Sequence, residues 1–342
     1  MAVTDLIKCQ LNVETAFATA ATANCGPADH LLMGVTDVSV NVMDEVHLTE
    51  RSGHLYPSDL ASQVGQMGEG SITMDLSYED IAYVLNNFFD AVTTTSTTTT
   101  TPGTIAYTYY NRAWDAPADT AVTPAYLTFE FGAPSANYEA CGVLFNELNI
   151  SGEAGGIWTG DFPFLAQQIN TCTMASLSDS AVELIRMADT TLYVDTWSGT
   201  IGTTPVADTL ISFGLSVSNG RHLKTFAGNI EPQSWGDTRW SGTLNIVAEF
   251  NASAKAYVDA MLARTGVVQR AIRIQADNDA VAAGDGDRVI NLDFYGTLVD
   301  GATLFSDREG NITVSLDWEG TYNDTGSDWL SFDLKNQDAS IG

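Results

Sequence analysis

Basic residues are scarce in this sequence: 14 Lys and Arg stand against 43 Asp and Glu, which gives a formal net charge of −29 at pH 7. Proteins that bind nucleic acid hold its phosphates with Lys and Arg, so this shortage argues strongly against a basic nucleic-acid-binding protein. A strongly acidic surface keeps a protein dispersed in solution, and it also repels polyanions.

Long hydrophobic runs are missing as well. No run of about 18 apolar residues, the length of a membrane-spanning helix, occurs in the chain. The first residues, MAVTDLIKCQLNVETAF, contain one Lys, an early Asp and no apolar stretch of signal-peptide length. We therefore expect neither a membrane protein nor a secreted protein.

Cysteine is rare and shows no metal-binding spacing. The chain contains Cys9, Cys25, Cys141 and Cys172, and none of them forms a CxxC pair. We expect thiols that are buried or idle in a reducing cytosol. A Cys9–Cys25 or a Cys141–Cys172 disulfide remains an alternative.

Motifs for catalysis and cofactor binding are also absent. The sequence has no GxSxG, no P-loop, no HExxH and no GxGxxG between a strand and a helix. Its histidines lack ligand spacing, and an Asp-rich stretch lacks the Glu and the spacing of a calcium loop. These residues are His30, His47, His54 and His222, and Asp277, Asp279, Asp285 and Asp287. We expect no enzyme activity, no cofactor and no metal site.

What the sequence does contain is one supersecondary unit that occurs twice. Residues 70–89 read GSITMDLSYEDIAYVLNNFF, and residues 242–262 read GTLNIVAEFNASAKAYVDAML. Both copies begin at a Gly, alternate apolar and polar residues as a half-buried strand does, and continue into an apolar helical stripe. The shared pattern predicts an internal duplication.

Two weaker matches follow in the same order. LTFEF at 127–131 resembles INLDF at 290–294, and a Trp-x-Gly-x-aromatic pattern begins at both Trp158 and Trp318. Together the matches predict a mainly β fold of two tandem, structurally similar domains, each a β-sandwich or half-barrel with one helix. The predicted organisation is an N-terminal arm or extra strand at 1–35, a first domain at 36–170, a linker with a short helix at 171–205 and a second domain at 206–342.

Loops of unusual length separate the first two strands of each predicted domain, at about residues 46–69 and 218–239. Loops of this length without structure of their own are usually functional or disordered. A further segment, TTTSTTTTTPG at 93–103, has β propensity but no alternation that would select a buried face, so it is predicted to be a solvated surface loop.

This tandem arrangement resembles the tail tube proteins of long-tailed bacteriophages. The resemblance is carried by SVNVMDEVHLTERSGHLYPSDLASQVGQMGEGSITMDLSYEDIAYVLNNFF, by SFGLSVSNGRHLKTFAGNIEPQSWGDTRWSGTLNIVAEFNASAKAYVDAML and by the Trp-x-Gly strands. It covers roughly residues 35–165 and 205–335. Single-unit members of that family form hexameric rings that stack into a tube, so a double unit implies homotrimeric rings of six similar domains.

The resemblance implies a structural subunit of the virion that is assembled in the host cytoplasm and forms a hollow acidic conduit for genome ejection. Its implied partners are further copies of itself, a tape measure protein and a tail terminator, while DNA passes through the lumen without specific binding. An extracellular two-domain β-sandwich adhesin or carbohydrate-binding protein is the alternative interpretation.

Along each predicted strand, the residues that alternate with the apolar ones point away from the core and are the candidates for the lumen wall. Alternation does not say which face of each sheet is turned inward. They are Thr73, Asp75, Ser77, Thr128, Glu130, Asn245, Glu249, Asn291 and Asp293. Apolar residues within the two long loops are the candidates for contacts between stacked rings. They are Tyr56, Leu60, Phe226, Ile230 and Trp235.

Overall fold

The computed structural model shows a mainly β chain, as predicted. It describes residues 8–14, 17, 30–49, 60–89, 92–97, 104–110, 124–133, 136–174, 176–177, 179, 182–206, 209–262, 267–278, 288–299, 303–308, 311–326 and 328–336. No helix in this part of the chain is long and apolar enough to cross a membrane.

The first half provides the following strands and its helix: β1 (Lys8–Glu14), β2 (His30–Leu31), β3 (Val35–Thr49), β4 (Leu60–Asp75), α1 (Asp80–Phe88), β5 (Val92–Thr97), β6 (Thr104–Tyr110), β7 (Tyr126–Ala133), β8 (Ala136–Phe145), β9 (Glu147–Glu153), β10 (Trp158–Ala166) and β11 (Gln168–Thr171).

The second half begins with a 3₁₀ turn (Met187–Asp189) and continues with β12 (Thr190–Thr196), β13 (Pro205–Val206), β14 (Leu210–Ser218), β15 (His222–Lys224), β16 (Ser234–Gly236), β17 (Ser241–Glu249), α2 (Ala252–Leu262), β18 (Gln269–Asp277), β19 (Val289–Leu298), β20 (Thr303–Arg308), β21 (Asn311–Gly320) and β22 (Leu330–Asn336).

An antiparallel sheet of eight strands, here called the inner sheet, runs through both halves. Its order is β3-β4-β10-β9-β14-β17-β21-β20. Strand β9 of the first half pairs directly with β14 of the second half, so the two halves share one continuous sheet.

A second layer of strands covers one face of the inner sheet. In the first half its order is β1-β7-β8-β11, and in the second half it is β12-β18-β19-β22. Here these are called the outer sheets. Each outer sheet also meets the inner sheet at a corner, through β8 and β10 in one half and through β19 and β21 in the other.

The strand pairings repeat one for one between the halves, which supports the predicted duplication. Strands β1, β3, β4, β7, β8, β9, β10 and β11 correspond to β12, β14, β17, β18, β19, β20, β21 and β22. The sequence match between 127–131 and 290–294 was therefore misplaced, because β7 corresponds to β18 rather than to β19. Apolar–polar alternation is common to neighbouring strands, so it could not tell them apart.

The matched tryptophans are not equivalent either. Ile72 of β4 faces Phe162 of β10, and Leu244 at the equivalent position of β17 faces Trp318 of β21. Trp318 is therefore equivalent to Phe162. Trp158 lies four residues before Phe162 on β10.

Aromatic side chains fill the space between the inner and outer sheets. The ring of Phe129 on β7 lies 5.8 Å from that of Phe164 on β10, and Phe145 lies 6.0 Å from Phe162. Trp158 and Trp318 are both fully buried in the same cluster. Burial of such side chains, at roughly 25 cal/mol per Å² of apolar surface, holds the two layers together.

Several predicted loops prove to be regular structure. Most of the loop predicted at 46–69 belongs to β3 and β4, which pair as far as Thr49 and Leu60. The Thr run supplies β5, which pairs with β6, and β6 in turn pairs with β22 of the second half. Polar β-branched residues suit an edge strand, and the prediction of a loop was wrong because it demanded a buried face.

The predicted linker at 171–205 contains β12, which pairs with β18 along its whole length. Within its predicted helix at 176–187, the described residues contain no α-helix, and Leu184 and Arg186 instead form isolated bridges to Ser77 and Ile157. Strand β1 likewise lies in the predicted N-terminal arm. The domain boundaries themselves stay a prediction.

Both disulfides considered from the sequence are excluded, because Cys9 and Cys172 are free. Cys141 is disulfide-bonded, and its partner lies outside the described residues. Burial raises the pKa of the Cys9 thiol to about 12, with a smaller contribution from Asp80, so this thiol stays protonated.

Candidate functional site: the inner sheet and its free margins

The face of the inner sheet turned away from the core is polar, and it is called the polar face below. Its side chains alternate with buried apolar ones along every strand that has a described burial pattern. Among the described residues that alternate in this way, none is Lys or Arg. The carboxylates on this face include Asp37, Glu45, Glu69, Asp75, Glu147, Glu153, Asp161, Glu249, Asp317 and Glu319.

Short polar side chains connect neighbouring strands across the polar face. Ser216 Oγ donates to Asn149 Oδ1 at 2.7 Å across the junction of the halves, and Asn245 Nδ2 donates to Asp317 Oδ1 at 2.5 Å. Because these side chains are short and Gly214 has none, an open groove of 380 Å³ lies along the junction. The face is thus hydrophilic, anionic and free of bulky side chains.

The predicted lumen residues divide into groups that lie in different places. Thr73, Asp75, Asn245 and Glu249 lie on the polar face of the inner sheet. Ser77 is fully buried beyond the end of β4, where its Oγ accepts a hydrogen bond from the Asp80 N–H at 2.9 Å.

The remaining predicted lumen residues lie on the outer sheets, on the side away from the core. Thr128 and Glu130 are on β7, and Asn291 and Asp293 are on β19. Asp293 accepts two hydrogen bonds of 2.6 Å from the Arg273 guanidinium. Since the inner and outer sheets enclose one core, this set and the polar-face set point to opposite sides of the protein.

Among the described strands, the inner sheet ends in two margins, β3 and β20, each of which pairs with one strand of the sheet. A strand with one open edge presents backbone N–H and C=O groups that can pair with another chain. Within the chain, β9 and β14 stand at the same positions in their halves as β20 and β3, and they pair with each other from Glu147–Ser218 to Glu153–Ser212.

Helix α1 is enclosed by aromatic side chains from the second half. The ring of Phe88 lies 5.3 Å from that of Trp240, and the ring of Phe89, next to the helix, lies 5.7 Å from that of Phe332. Phe88 and Phe89 are fully buried as a result.

Polar contacts fix the same helix to the second half at both ends. At its start, Arg288 Nε donates to Glu79 Oε1 at 2.6 Å, and both side chains are buried. At its end, Arg221 donates to the backbone oxygen of Asn87 at 2.5 Å. The first half therefore reaches a closed junction with the second half on the side of α1.

Helix α2 is the counterpart of α1, and its described side chains include an exposed apolar residue. Its residue Leu262 follows Val258 by four positions and lies on the same helix face, yet Val258 is buried and Leu262 is 65% exposed. In the sequence pattern Leu262 corresponds to Phe89, which is fully buried. Val267, just beyond α2, is 71% exposed.

The two segments that were predicted to contact a stacked ring differ in structure. The β3–β4 hairpin exposes Val42, Val46 and Leu48, which alternate along β3. Tyr56 and the Leu60 side chain lie outside the described residues.

Residues 219–240 instead fold against their own chain. Trp235 Nε1 donates to the Tyr126 hydroxyl at 3.0 Å, and the Arg221 guanidinium lies 5.4 Å from the centre of the Trp235 ring. Phe226 and Ile230 are exposed, and the Ile230 carbonyl accepts a hydrogen bond from the Gln66 N–H at 2.8 Å.

The open margins and the Leu262 patch were not singled out from the sequence. The exposed Leu262 could have been found from the sequence, because Leu262 and Phe89 occupy equivalent places in the apolar stripes of the two helices. The similar segments LNVE at 11–14 and LYVD at 192–195 mark the equivalent strands β1 and β12 of the outer sheets.

Comparison with protein families gives one match that spans most of the chain. A family model described as phage tail tube protein matches residues 14–320, from the end of β1 to the end of β21. A comparison with curated proteins gives no match.

Proposed function

The chain belongs to the phage tail tube protein family and is a structural component of a phage tail tube, and we propose that three copies close into a ring with the polar face around a central bore. Stacked rings would then form the conduit for the genome. The single observation that carries the proposal is the β9–β14 junction, where one half of the chain already pairs with the other as two subunits of a ring would.

The duplication gives the register expected between neighbouring subunits. At the junction inside the chain, Ser151 of β9 faces Gly214 of β14. Thr303 on β20 is equivalent to Ser151 on β9. Thr303 faces Ser315 of β21, and Ser151 faces Thr159 at the equivalent position of β10. Asp37 on β3 takes the place of Gly214 by the same comparison. We expect Thr303 of one subunit to face Asp37 of the next.

Closure of the ring would remove both open margins of the inner sheet. It would also cover the exposed Leu262 and Val267, because the equivalent Phe89 is covered by the other half of the chain. A ring of two-domain subunits repeats one kind of junction, and three of its copies lie within the chains.

The polar face is the side of the inner sheet that suits a bore for DNA. It carries carboxylates, and seven of its eight strands contribute no Lys or Arg; the register of the margin strand β20 places Arg308 opposite Asn311 on this side. Its negative potential repels DNA phosphates over a screening length of about 8 Å at physiological salt, which keeps DNA from adhering to the wall. Thr73, Asp75, Asn245 and Glu249 would line this bore.

Stacking of the rings is assigned to the β3–β4 hairpin. Val38 and Val40 pack on the core, and Val42, Val46 and Leu48 continue the same alternation beyond it with exposed side chains, interrupted once by Asp44. An apolar stripe of this kind at the end of an open assembly is suited to the next ring. A tape measure protein inside the tube and a terminator at its end are the partners that this role requires, and assembly would take place in the host cytoplasm.

The ring is tested by disulfide cross-linking of assembled protein. Oxidation of the Asp37→Cys/Thr303→Cys variant should join the chains in non-reducing electrophoresis and give a covalent trimer as the largest product. The matched control, Ser151→Cys/Gly214→Cys, places the same pair at the junction inside the chain and should stay at the mass of one chain.

Each single-cysteine variant shows the background from the free Cys9 and Cys172. If the control pair closes and the Asp37/Thr303 pair does not, the proposed junction between subunits is wrong. A covalent product larger than three chains would refute the trimer.

A further inference from the structure

A row of oxygen-bearing side chains crosses the outer sheet of the first half. Gln10 of β1 faces Glu130 of β7, Glu130 faces Glu139 of β8, and Glu139 faces Asn170 of β11. Residues that face each other across paired strands project on the same side of the sheet, so these four side chains form one line. They are called the carboxylate row below.

The two carboxylates of this row are buried side by side. Glu130 is 3% exposed and Glu139 is 2% exposed. Directly opposed like charges destabilise a sheet, and burial increases their repulsion. Burial, and next the charge of Glu130, raise the pKa of Glu139. Lys8 projects on the same side of β1, but it is exposed, and no salt bridge among the described residues includes it.

Two buried oxygens of the row have no hydrogen-bond partner within the chain. They are Gln10 Oε1 and Glu139 Oε1, and Gln10 is 1% exposed. A buried acceptor without a partner costs about 1–3 kcal/mol, so such groups normally satisfy a ligand, a water or an ion. The unpartnered amide oxygen of Gln10 lies directly across the strand pair from Glu130.

The equivalent row in the second half has a different composition. Thr191, Gln275, Asn291 and Asp333 face one another in the same order, so only one carboxylate is present there. The neighbouring carboxylate on β19, Asp293, is paired with Arg273. In the second half Asp293 is thus paired with a base on the neighbouring strand, and in the first half Glu130 faces a second carboxylate, Glu139, across the strand pair.

We propose that Glu130, Glu139 and Gln10 bind a hard divalent cation of the Ca²⁺ class and tie strand β1 to β7 and β8. Such ions take six to eight oxygen ligands from carboxylates, side-chain amides, backbone carbonyls and water. The described residues contain no group of three or more His, Cys, Asp and Glu that could hold a metal. The proposed site has two carboxylates and one amide.

The three proposed ligands, Glu130, Glu139 and Gln10, all donate through oxygen. Oxygen donors favour Ca²⁺ over softer metals such as zinc.

Thermal unfolding of the full-length protein tests the site. After chelator treatment and dialysis, 1 mM CaCl₂ at pH 7.5 and matched ionic strength should raise the Tm of the wild type by a few degrees, because a ligand that binds the folded state stabilises it. Glu139→Gln should abolish this shift. Asp333→Asn, the matched change in the equivalent row of the second half, should leave the shift intact.

Gln10→Met is a second variant that keeps both carboxylates, and it should reduce the shift. The same shift in wild type and Glu139→Gln would show general charge screening and overturn the site. Absence of a shift in the wild type also overturns it. If Glu139→Gln alone then raises the Tm, the two carboxyl groups share a proton instead.

Discussion

The two helices of the duplicated unit have the same position in their halves and very different surroundings. Helix α1 is held by Trp240, Phe332, Arg221 and Arg288 of the second half, whereas α2 ends in the exposed Leu262. The same difference appears at the sheet, where β9 pairs with β14, whereas β20 and β3 have no second partner in the inner sheet among the described strands.

The chain therefore contains one kind of junction in two states. In the finished version, both sides of the junction are present in the chain; in the unfinished version, only one side is present at each place. The finished version lies between its halves, and the unfinished one consists of the margins and the α2 patch. The start of α2 also has no equivalent of Glu79, because Asn251 and Ala252 stand at the corresponding positions. We infer that the junction inside the chain is stronger than the one between chains.

The largest expected effect follows from removal of the buried ion pair at α1. Arg288→Met leaves Glu79 buried without its guanidinium partner, which should lower the free energy of unfolding by about 3–5 kcal/mol, as for other broken buried pairs. Urea unfolding of the dissociated subunit measures this loss.

The matched control lies on the other helix. Lys255 forms an ion pair with Asp259 on the surface of α2, and both side chains are more than half exposed. Lys255→Met should cost less than about 1 kcal/mol, since exposed pairs contribute little. The double variant Glu79→Gln/Arg288→Met should recover part of the loss. Equal effects of Arg288→Met and Lys255→Met would refute the contrast between the two junctions.

Sequence patterns predicted the duplication, the mainly β class and the strand–helix unit because those features depend on local periodicity. Ile72 and Met74 alternate with polar residues in β4, and Leu244 and Ile246 do the same in β17, so parity assigned one buried face to each. Partner strands could not be assigned in this way. LTFEF was matched to the wrong strand because alternation is equal on β18 and β19.

The candidate site could be predicted only in part for the same reason. Alternation correctly placed Thr73 and Asp75 away from the core. It also predicted Glu130 to face the lumen with them, although Glu130 lies on an outer sheet and points to the opposite side of the protein. Long-range pairing such as β9 with β14, or β6 with β22, depends on contacts between residues far apart in the sequence. Only the folded chain shows these contacts.

An intermediate effect is expected from the two segments between the first strands of each half. The β3–β4 hairpin exposes an apolar stripe, whereas residues 219–240 are fixed to their own chain through Trp235. Leu48→Asp should leave the subunit folded and allow rings, but it should reduce tube formation about tenfold or more, because each buried Leu contributes about 1.5–3 kcal/mol. Negative-stain microscopy counts tubes against rings.

Two variants define the hairpin effect. His47→Asp puts the same charge on the opposite side of the hairpin and should leave tube formation unchanged. Phe226→Asp, at an exposed residue of the other segment, should reduce tube length less than Leu48→Asp does. If Phe226→Asp has the larger effect, stacking depends on the second half, and the assignment to the hairpin is wrong.

The smallest expected effect concerns the turns that lead into the equivalent strands β11 and β22. The turn before β11 buries a neutral amide, Gln167, whereas the turn before β22 buries a carboxylate, Asp328. Burial raises the pKa of Asp328 from 3.8 to about 6, although the N–H groups of Trp329 and Leu330 donate to it and oppose the shift. The folded protein therefore binds this proton more tightly than the unfolded chain does. The stability linked to Asp328 is fully present below about pH 4, is lost as the pH rises to about 6, and stays lost above that.

Asp328→Asn removes this titration and should make the second half behave as the first half does. The fall in Tm between pH 4.5 and pH 7 should be smaller in the variant than in the wild type, by an amount that corresponds to about 1–2 kcal/mol. A constant offset between the two proteins is expected as well, because Asp328 Oδ2 is buried without a partner and the amide group of Asn adds N–H donors there. The comparison therefore uses the change with pH and not the Tm at one pH.

Gln167→Met, which removes the neutral group of the other turn, should shift the Tm equally at both pH values. If the wild type and Asp328→Asn lose the same stability between pH 4.5 and pH 7, Asp328 is ionised throughout, and the two turns do not differ in the way their burial indicates.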